Sequence, residues 1–277
     1  MTGNWILALA GLFLPTPRHL DRVAYLRFWR DAGNAFSDLQ GARSTQLYFE
    51  DECDLFRQHL PALRGCSLFK TDLWNEAKNT RILQWAADQG ALVYGIDISA
   101  PTVRLAKAEF GGRPPRVVVA DVRSVPFASG SFDAIYSMGT IEHFHETEAA
   151  VCELARLLKP GGRLILGVPN KHDPFLRPWL VAILHAGRQY GYGFEKCYSR
   201  KALRRMLEAA GLSVVAETGI LFMPGWLRML DLLVYTRWPR WSFVTRPAVS
   251  LFSWITRRLP GLRRYGYLLA SVGVRPV

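Results

Sequence analysis

Four short apolar runs, "ALVYGID" (91–97), "PRVVVAD" (115–121), "FDAIYSMG" (132–139) and "RLILGVP" (163–169), each stop at a polar or turn residue. Unbroken apolar runs of this length are how parallel strands read when both faces of the sheet are covered. The segments between them have helical spacing. Asn79 is placed to cap a helix through Gln89, with Ile82, Leu83, Trp85 and Ala86 on one face and Gly90 as the stop. Ser99 opens the next helix, which Gly111 and Gly112 close. Val151, Leu154, Ala155 and Leu158 follow the i, i+3, i+4, i+7 rule before "KPGG" ends that helix, and Leu203, Met206, Leu207 and Ala210 repeat it before Gly211. Strand and helix alternating in this way predict an open, doubly wound α/β sheet. Such sheets bind ligands beyond the carboxyl ends of their strands, so the residues just past each run are the candidate site.

At 277 residues, 49% hydrophobic and 21% charged, the chain has the balance of a folded protein with room for one core and additions. We divide it into an N-terminal helical segment or lid (1–62), an α/β core (63–220) with an insertion near 171–198, and a basic, tryptophan-rich extension ending in a strand (221–277). Cys53, Cys66, Cys152 and Cys197 form no C-x-x-C pair, so neither zinc nor a disulfide framework is expected. Reduced thiols fit a cytoplasmic chain.

Asp97 ends the second run and Asp121 the third. A carboxylate at the first position can accept hydrogen bonds from ribose hydroxyls, and one at the second from an exocyclic amine such as that of adenine. Helix capping and an Asx-turn are the competing uses of the same residues. Taken in order, "VYGIDIS", "ADVRSVPFASGSFDAIYSMGTIEHF" and "LARLLKPGGRLILGVPN" resemble the successive motifs of class I S-adenosylmethionine-dependent methyltransferases, of the group whose third motif reads as an acid followed by "PF" and "FD". The resemblance covers roughly residues 67–220. It implies a Rossmann-like, mostly parallel seven-stranded sheet of order 3-2-1-4-5-7-6, with an antiparallel last strand at "YGYLLASVGV". It also implies S-adenosylmethionine as cofactor, Asp97 and Ile98 at the ribose, Asp121 and Val122 beside adenine, and Ser137, Met138 and Gly139 along the methionyl side.

The departure is the first motif. There the family has an acidic strand end and a glycine-rich turn, whereas this chain has "LFKTDLWNEAKN", with Lys70 at the acid's position and no glycine between Gly65 and Gly90. Side chains can replace the backbone groups, Asp72 or Glu76 meeting the cofactor's ammonium and Lys70 or Asn75 its carboxylate. Alternatively Trp74 fills the pocket and the fold persists without cofactor. The density of polar groups of both signs favours the first.

Methyl transfer needs alignment and, for some acceptors, removal of a proton. His143, in "TIEHF" after the fourth run, is the candidate general base, and Glu142 would orient it or touch the acceptor; a backbone-bonded, pocket-shaping histidine is the alternative. Glu142, His143 and His145 do not make a metal set.

Residues 220–277 hold nine arginines, no lysine and a single acid, Asp231, together with Trp226, Trp238, Trp241 and Trp254. That mixture suits an anionic membrane surface, or a solvated arginine face. Trp5–Pro15, "WILALAGLFLP", is too short to span a bilayer and reads as an interfacial or packed helix. Residues 25–60 read as a helical lid that brings Tyr48 and Phe49 near the cofactor, with Glu50, Asp51, Glu52 and Asp54 solvated. The insertion is aromatic (Phe175, Trp179, Tyr190, Tyr192, Phe194, Tyr198) and is where the acceptor pocket is expected. Three functions follow: a methyltransferase of a small-molecule or lipid-like acceptor, at the inner face of a membrane in one form of the reading; a catalytically silent relative that binds at a membrane; and a nucleic-acid methyltransferase. The last rests on charge alone, because "SMGT" stands where an "NPPY"-like tetrad would be.

Overall fold

The computed structural model describes residues 22–35, 37–110, 115–186 and 194–277. Trp5–Pro15, Gly111, Gly112, Tyr190 and Tyr192 lie outside them. Two helices, α1 (Arg22–Ala35) and α2 (Arg43–His59), precede the sheet. Then come β1 (Ser67–Lys70), α3 (Trp74–Lys78), α4 (Ile82–Asp88), β2 (Leu92–Asp97), α5 (Ala100–Glu109), β3 (Arg116–Val119) and β4 (Phe132–Met138). A 3-10 turn (Ile141–His143) leads to α6 (Thr147–Leu157), β5 (Leu158–Pro169), α7 (Arg177–Ala186), α8 (Arg200–Ala209) and β6 (Ser213–Ile220). The chain closes with α9 (Gly225–Arg237), α10 (Arg246–Arg258) and β7 (Leu268–Val274).

The seven strands lie in the order β3-β2-β1-β4-β5-β7-β6. β1 to β5 are parallel, and β7 runs antiparallel to both β5 and β6. This is the expected α/β sheet. Alternation along each strand sends neighbours to opposite faces: Leu68, Val93 and Tyr136 pack with α2, α4 and α5, while Phe69, Ile96 and Ile135 pack with α6 and α8. Strand order reverses between β1 and β4, so the crevice beyond their carboxyl ends is the binding position of this topology.

Local signals held at several helices. The Ser99 hydroxyl accepts from Thr102 N at the start of α5, and Ser199 caps α8 in the same way. Elsewhere tertiary contacts won. Asn79 does not cap α4, whose N-cap is Arg81 in the left-handed region (φ 57°); the Asn79 amide donates to Asn75 Oδ1 and accepts from the Thr45 hydroxyl. "KPGG" lies inside β5, which begins at Leu158 directly after α6.

Residues 25–60 do not form one solvated lid. Helix α2 is a core helix, and Asp51 and Glu52 are buried rather than solvated. Asp51 accepts from Leu221 N at 2.8 Å and pairs with Arg263 at 3.2 Å, while Glu52 accepts from the Tyr136 hydroxyl at 2.7 Å. Glu50 pairs with Arg43 and Arg257, and Asp54 with Arg57 and Arg263. Helices α9 and α10 are fastened to α2 by the same logic: Asp231, on α9, accepts from Ser44 N (2.8 Å) and from the Thr245 hydroxyl (2.5 Å).

Candidate active site

The turn after β1 shows how a chain dispenses with glycine there. None of its residues has a positive φ, so no position asks for glycine's freedom. Its amides are taken by carboxylates: Trp74 N donates to Asp72 Oδ1 (2.8 Å) and Leu73 N to Asp97 Oδ2 (3.0 Å). Lys70, 1% exposed, donates to the backbone oxygen and the carboxylate (3.1 Å) of Asp72 and lies 3.7 Å from Glu76. Burial alone would pull the Lys70 ammonium down, but Asp72, Glu76 and Glu52 outweigh it and hold the pKa above its ordinary value. Glu76 is fully buried, and burial pushes it up to about 7 against the pull of Lys70. Lys70 and Glu76 therefore stand behind the turn, and Asp72 is the member of the trio that lines the cleft.

That cleft, about 590 Å³, opens beyond β1, β2 and β4. Its walls carry Asp72, Asp97, Ile98, Asp121, Val122, Gly139 and His143 of the residues singled out in the sequence. Among the described residues no lysine or arginine lines it, although three carboxylates do. Asp97 accepts from Leu73 N and, at 2.8 Å, from Ser99 N; burial first and then the Asp72 charge push it up to about 7. Each Asp97 oxygen thus takes one backbone donor and keeps a second acceptor site for a ligand hydroxyl. Asp121 makes the Asx-turn to Arg123 N (3.0 Å) and also holds the Arg123 guanidinium at 2.9 and 2.6 Å. Arg123 in turn reaches Glu146 at 2.8 Å and lies over the Phe144 ring.

A second cavity, about 860 Å³, adjoins the first, and the two share Trp29, Asp72, Trp74, Gly139 and His143. Met138 lines this second space, and its sulfur fills the position a Gly167 side chain would need. Ser137 is fully buried and lines neither; its hydroxyl accepts from Thr71 (2.9 Å), whose oxygen is also 3.0 Å from Thr140. These bonds tie the β1 turn to the β4 end. Gly139 between them has φ 74°, which a glycine adopts freely.

His143 stands at the junction of the two cavities. Its Nδ1 lies 2.8 Å from the Phe194 carbonyl, which can only accept, so Nδ1 carries the hydrogen and Nε2 keeps its lone pair. Burial lowers its pKa below the ordinary histidine value, with Glu195 opposing. Trp29 packs edge-on at 4.9 Å, and Glu142 Oε1 is 3.9 Å from Nε2. Glu142 is buried, its Oε2 has no hydrogen-bond partner among the described residues, and burial followed by Glu195 raises its pKa well above the usual carboxylate range. The second cavity also receives Arg177, paired with Glu195 at 2.7 Å and set over the Tyr267 ring, and Arg228, set over Tyr48.

A methyltransferase-domain family model matches residues 78–166, beginning just after the unusual turn. Demethylmenaquinone methyltransferase of Thermus thermophilus is 34% identical over 146 residues, 46% of this chain and 66% of that one. The chain belongs to the class I S-adenosylmethionine-dependent methyltransferases. Within that family, a ubiquinone biosynthesis O-methyltransferase of Idiomarina loihiensis is 26% identical over half of this chain and 59% of its own length. A Thermotoga maritima structure described as an S-adenosylmethionine-dependent methyltransferase, possibly of histamine, superimposes with a TM-score of 0.59 at 15% identity, covering 91% of this chain and 98% of that one. Matches to the first curated relatives span about half to two thirds of their lengths.

Sequence reasoning passed over two kinds of residue at this site. Tyr25 and Trp29 reach the cleft from α1, one helical turn apart, and that spacing was the available signal. The Thr71 and Thr140 hydroxyls gave none, because only the fold brings them together. Phe49 lies away from both cavities, beside Trp85, whereas Tyr48 lines the second cavity.

Proposed function

We propose that this chain transfers a methyl group from S-adenosylmethionine to a small, largely apolar acceptor bearing a hydroxyl or an activated ring carbon, a quinol-like ring being the leading candidate. The observation that carries the reading is the pair of cavities meeting at Asp72, Trp74, Gly139 and His143. One is lined, among the described residues, by three carboxylates and no lysine or arginine, which suits the sulfonium and ammonium charges of the ligand. The other is larger, aromatic and partly charged. Two relatives named for quinone biosynthesis support an acceptor of that class.

S-adenosylmethionine supplies an electrophilic methyl on a sulfonium. Asp97 accepts from the ribose hydroxyls, with Ile98 alongside, and Asp121 and Val122 flank the adenine. Asp72, held in place by Lys70 with Glu76 behind it, meets the ammonium. Ser137 acts by fastening Thr71, and Met138 shapes the wall on the acceptor side. His143 Nε2 takes the acceptor's proton as the new oxygen–carbon bond forms and the sulfur–carbon bond breaks. An acceptor of this kind partitions into membranes, so the reading extends to a cytoplasmic chain working at the inner membrane face.

The test is methyl transfer from labelled S-adenosylmethionine to demethylated quinols, catechols and aryl amines, with product identified by mass. Methylation of a quinol or catechol is expected. Cofactor binding without transfer to any acceptor would favour a silent relative, and methylation of RNA or DNA alone would replace the reading.

A further inference from the structure

Helix α10 is apolar on two sides, packing Val249 and Phe252 against the core while a second set of apolar side chains faces outward. It turns Val249, Ser253 and Thr256 inward, yet leaves Leu251 and Trp254 53% and 57% exposed. A helix on a globular protein in water faces the core with its apolar stripe and the solvent with polar side chains. Two neighbours also leave apolar side chains exposed. Leu176, Trp179 and Ile183, spaced by three and four residues on and before α7, are 63, 71 and 69% exposed, and Trp226 and Leu230 on α9 are 55 and 43% exposed. The connection between α9 and α10 adds exposed Trp238, Trp241, Phe243 and Val244, with the rings of Trp241 and Phe243 stacked 5.9 Å apart.

These stripes belong to one surface. Phe175, just before α7, packs against Phe222 (5.3 Å), before α9, and against Phe252 (5.7 Å) of α10. Gly225, at the start of α9, faces the side chains of Arg177 and Tyr267. The surface also adjoins the acceptor cavity: Leu176 precedes Arg177, and Trp226 lies two residues from Arg228, both arginines lining that cavity.

Charge identifies the occupant. Residues 232–277 hold eight arginines and no acid. Arg257 and Arg263 answer Glu50, Asp51 and Asp54, and Arg275 donates to the carbonyls that end α6. Arg240, Arg246, Arg258 and Arg264 remain exposed, with no carboxylate within ion-pair distance among the described residues. Arg258 and Arg264 lie over the Trp254 and Tyr265 rings, and tryptophan and leucine interspersed with guanidinium groups that no described carboxylate answers match an anionic bilayer surface, indole at headgroup depth and guanidinium on phosphate. No helix among the described residues is long and apolar enough to cross a membrane.

We propose that α7, α9 and α10 form an interfacial face that seats the protein on an anionic bilayer and opens the acceptor cavity towards it, so that the acceptor is drawn from the lipid phase. This rests on the reading of the second cavity as the acceptor site.

The test is flotation of the full chain with vesicles of phosphatidylglycerol and phosphatidylcholine, or phosphatidylcholine alone, at low and high salt. Folding is followed by circular dichroism and cofactor binding by calorimetry. Binding to the anionic vesicles is expected, weakened by salt and reduced at least tenfold in both Leu251→Glu/Trp254→Glu and Arg240→Glu/Arg246→Glu/Arg258→Glu. Quenching of tryptophan by brominated lipid in the wild type, absent in the first variant, would place the face in the interface. No flotation by a folded chain, or flotation that both variants keep, would overturn the proposal. So would a dimer in light scattering that Leu251→Glu/Trp254→Glu dissolves without affecting flotation, since a second copy would then be the occupant. Loss of flotation with cofactor binding retained separates this face from the active site, and vesicle binding without cofactor binding would fault only the enzyme reading.

Discussion

Asp72→Asn isolates one charge at the glycine-free turn. The asparagine oxygen still accepts from Trp74 N, which Asp72 now holds at 2.8 Å, so the turn keeps its shape. What is removed is the negative charge that faces the cleft and answers Lys70 at 3.1 Å. A hydrogen bond to a charged group contributes about 1.5–3 kcal/mol and a neutral one about 0.5–1.5. The expected loss is therefore about 1–2 kcal/mol, or roughly five- to thirtyfold in Kd. Because the ammonium is common to S-adenosylmethionine and S-adenosylhomocysteine, calorimetry should show the same loss for both. Lys70 keeps Glu76 at 3.7 Å, so the variant should fold with a cost of about 1–3 kcal/mol, below that of an uncompensated buried charge. Unchanged affinity in a folded variant would refute the role given to Asp72. A loss confined to S-adenosylmethionine would move Asp72 to the sulfonium.

His143→Ala should lower kcat by about 10²–10⁴ with cofactor affinity retained, and the wild-type rate should fall with acidity only below the ordinary histidine pKa, because burial lowers that of His143. Glu52→Gln bears on stability. Burial raises Glu52 to about 8 from an unfolded value near 4.5, so the native state binds the extra proton and stability from this group declines as pH rises across that window. The glutamine, which still accepts from Tyr136, should flatten the decline in denaturant titrations at pH 5 and pH 9, and an unaltered slope would dismiss it. Gly95→Val would drive a Cβ to 2.6 Å from Leu73, whose amide holds Asp97; a loss of about 1–3 kcal/mol in stability, with weaker cofactor binding, is expected from melting and calorimetry.

The sheet was legible because its strands are continuous apolar runs and its helices have a 3.6-residue period, both local properties. Asp51 and Glu52 show where local reading fails. Clustered acids suggest a solvated face, yet Tyr48, Asp51, Glu52 and Leu55 fall at i, i+3, i+4 and i+7, on the stripe that enters the core. Their partners, Leu221 N, Arg263 and the Tyr136 hydroxyl, are 84 to 212 residues away in sequence and left no local trace. The same holds at the site. Asp97 and Asp121 were readable as strand ends, whereas the burial of Lys70 behind Asp72 and the meeting of Thr71 with Thr140 depend on strands β1 and β4 lying side by side.

Calorimetric titration of the full chain with S-adenosylmethionine is the most direct test of whether side chains have replaced the glycine turn. Micromolar binding, about −8 kcal/mol, is expected. Absence of binding by a chain with an intact melting transition would contradict it and leave the fold without its cofactor.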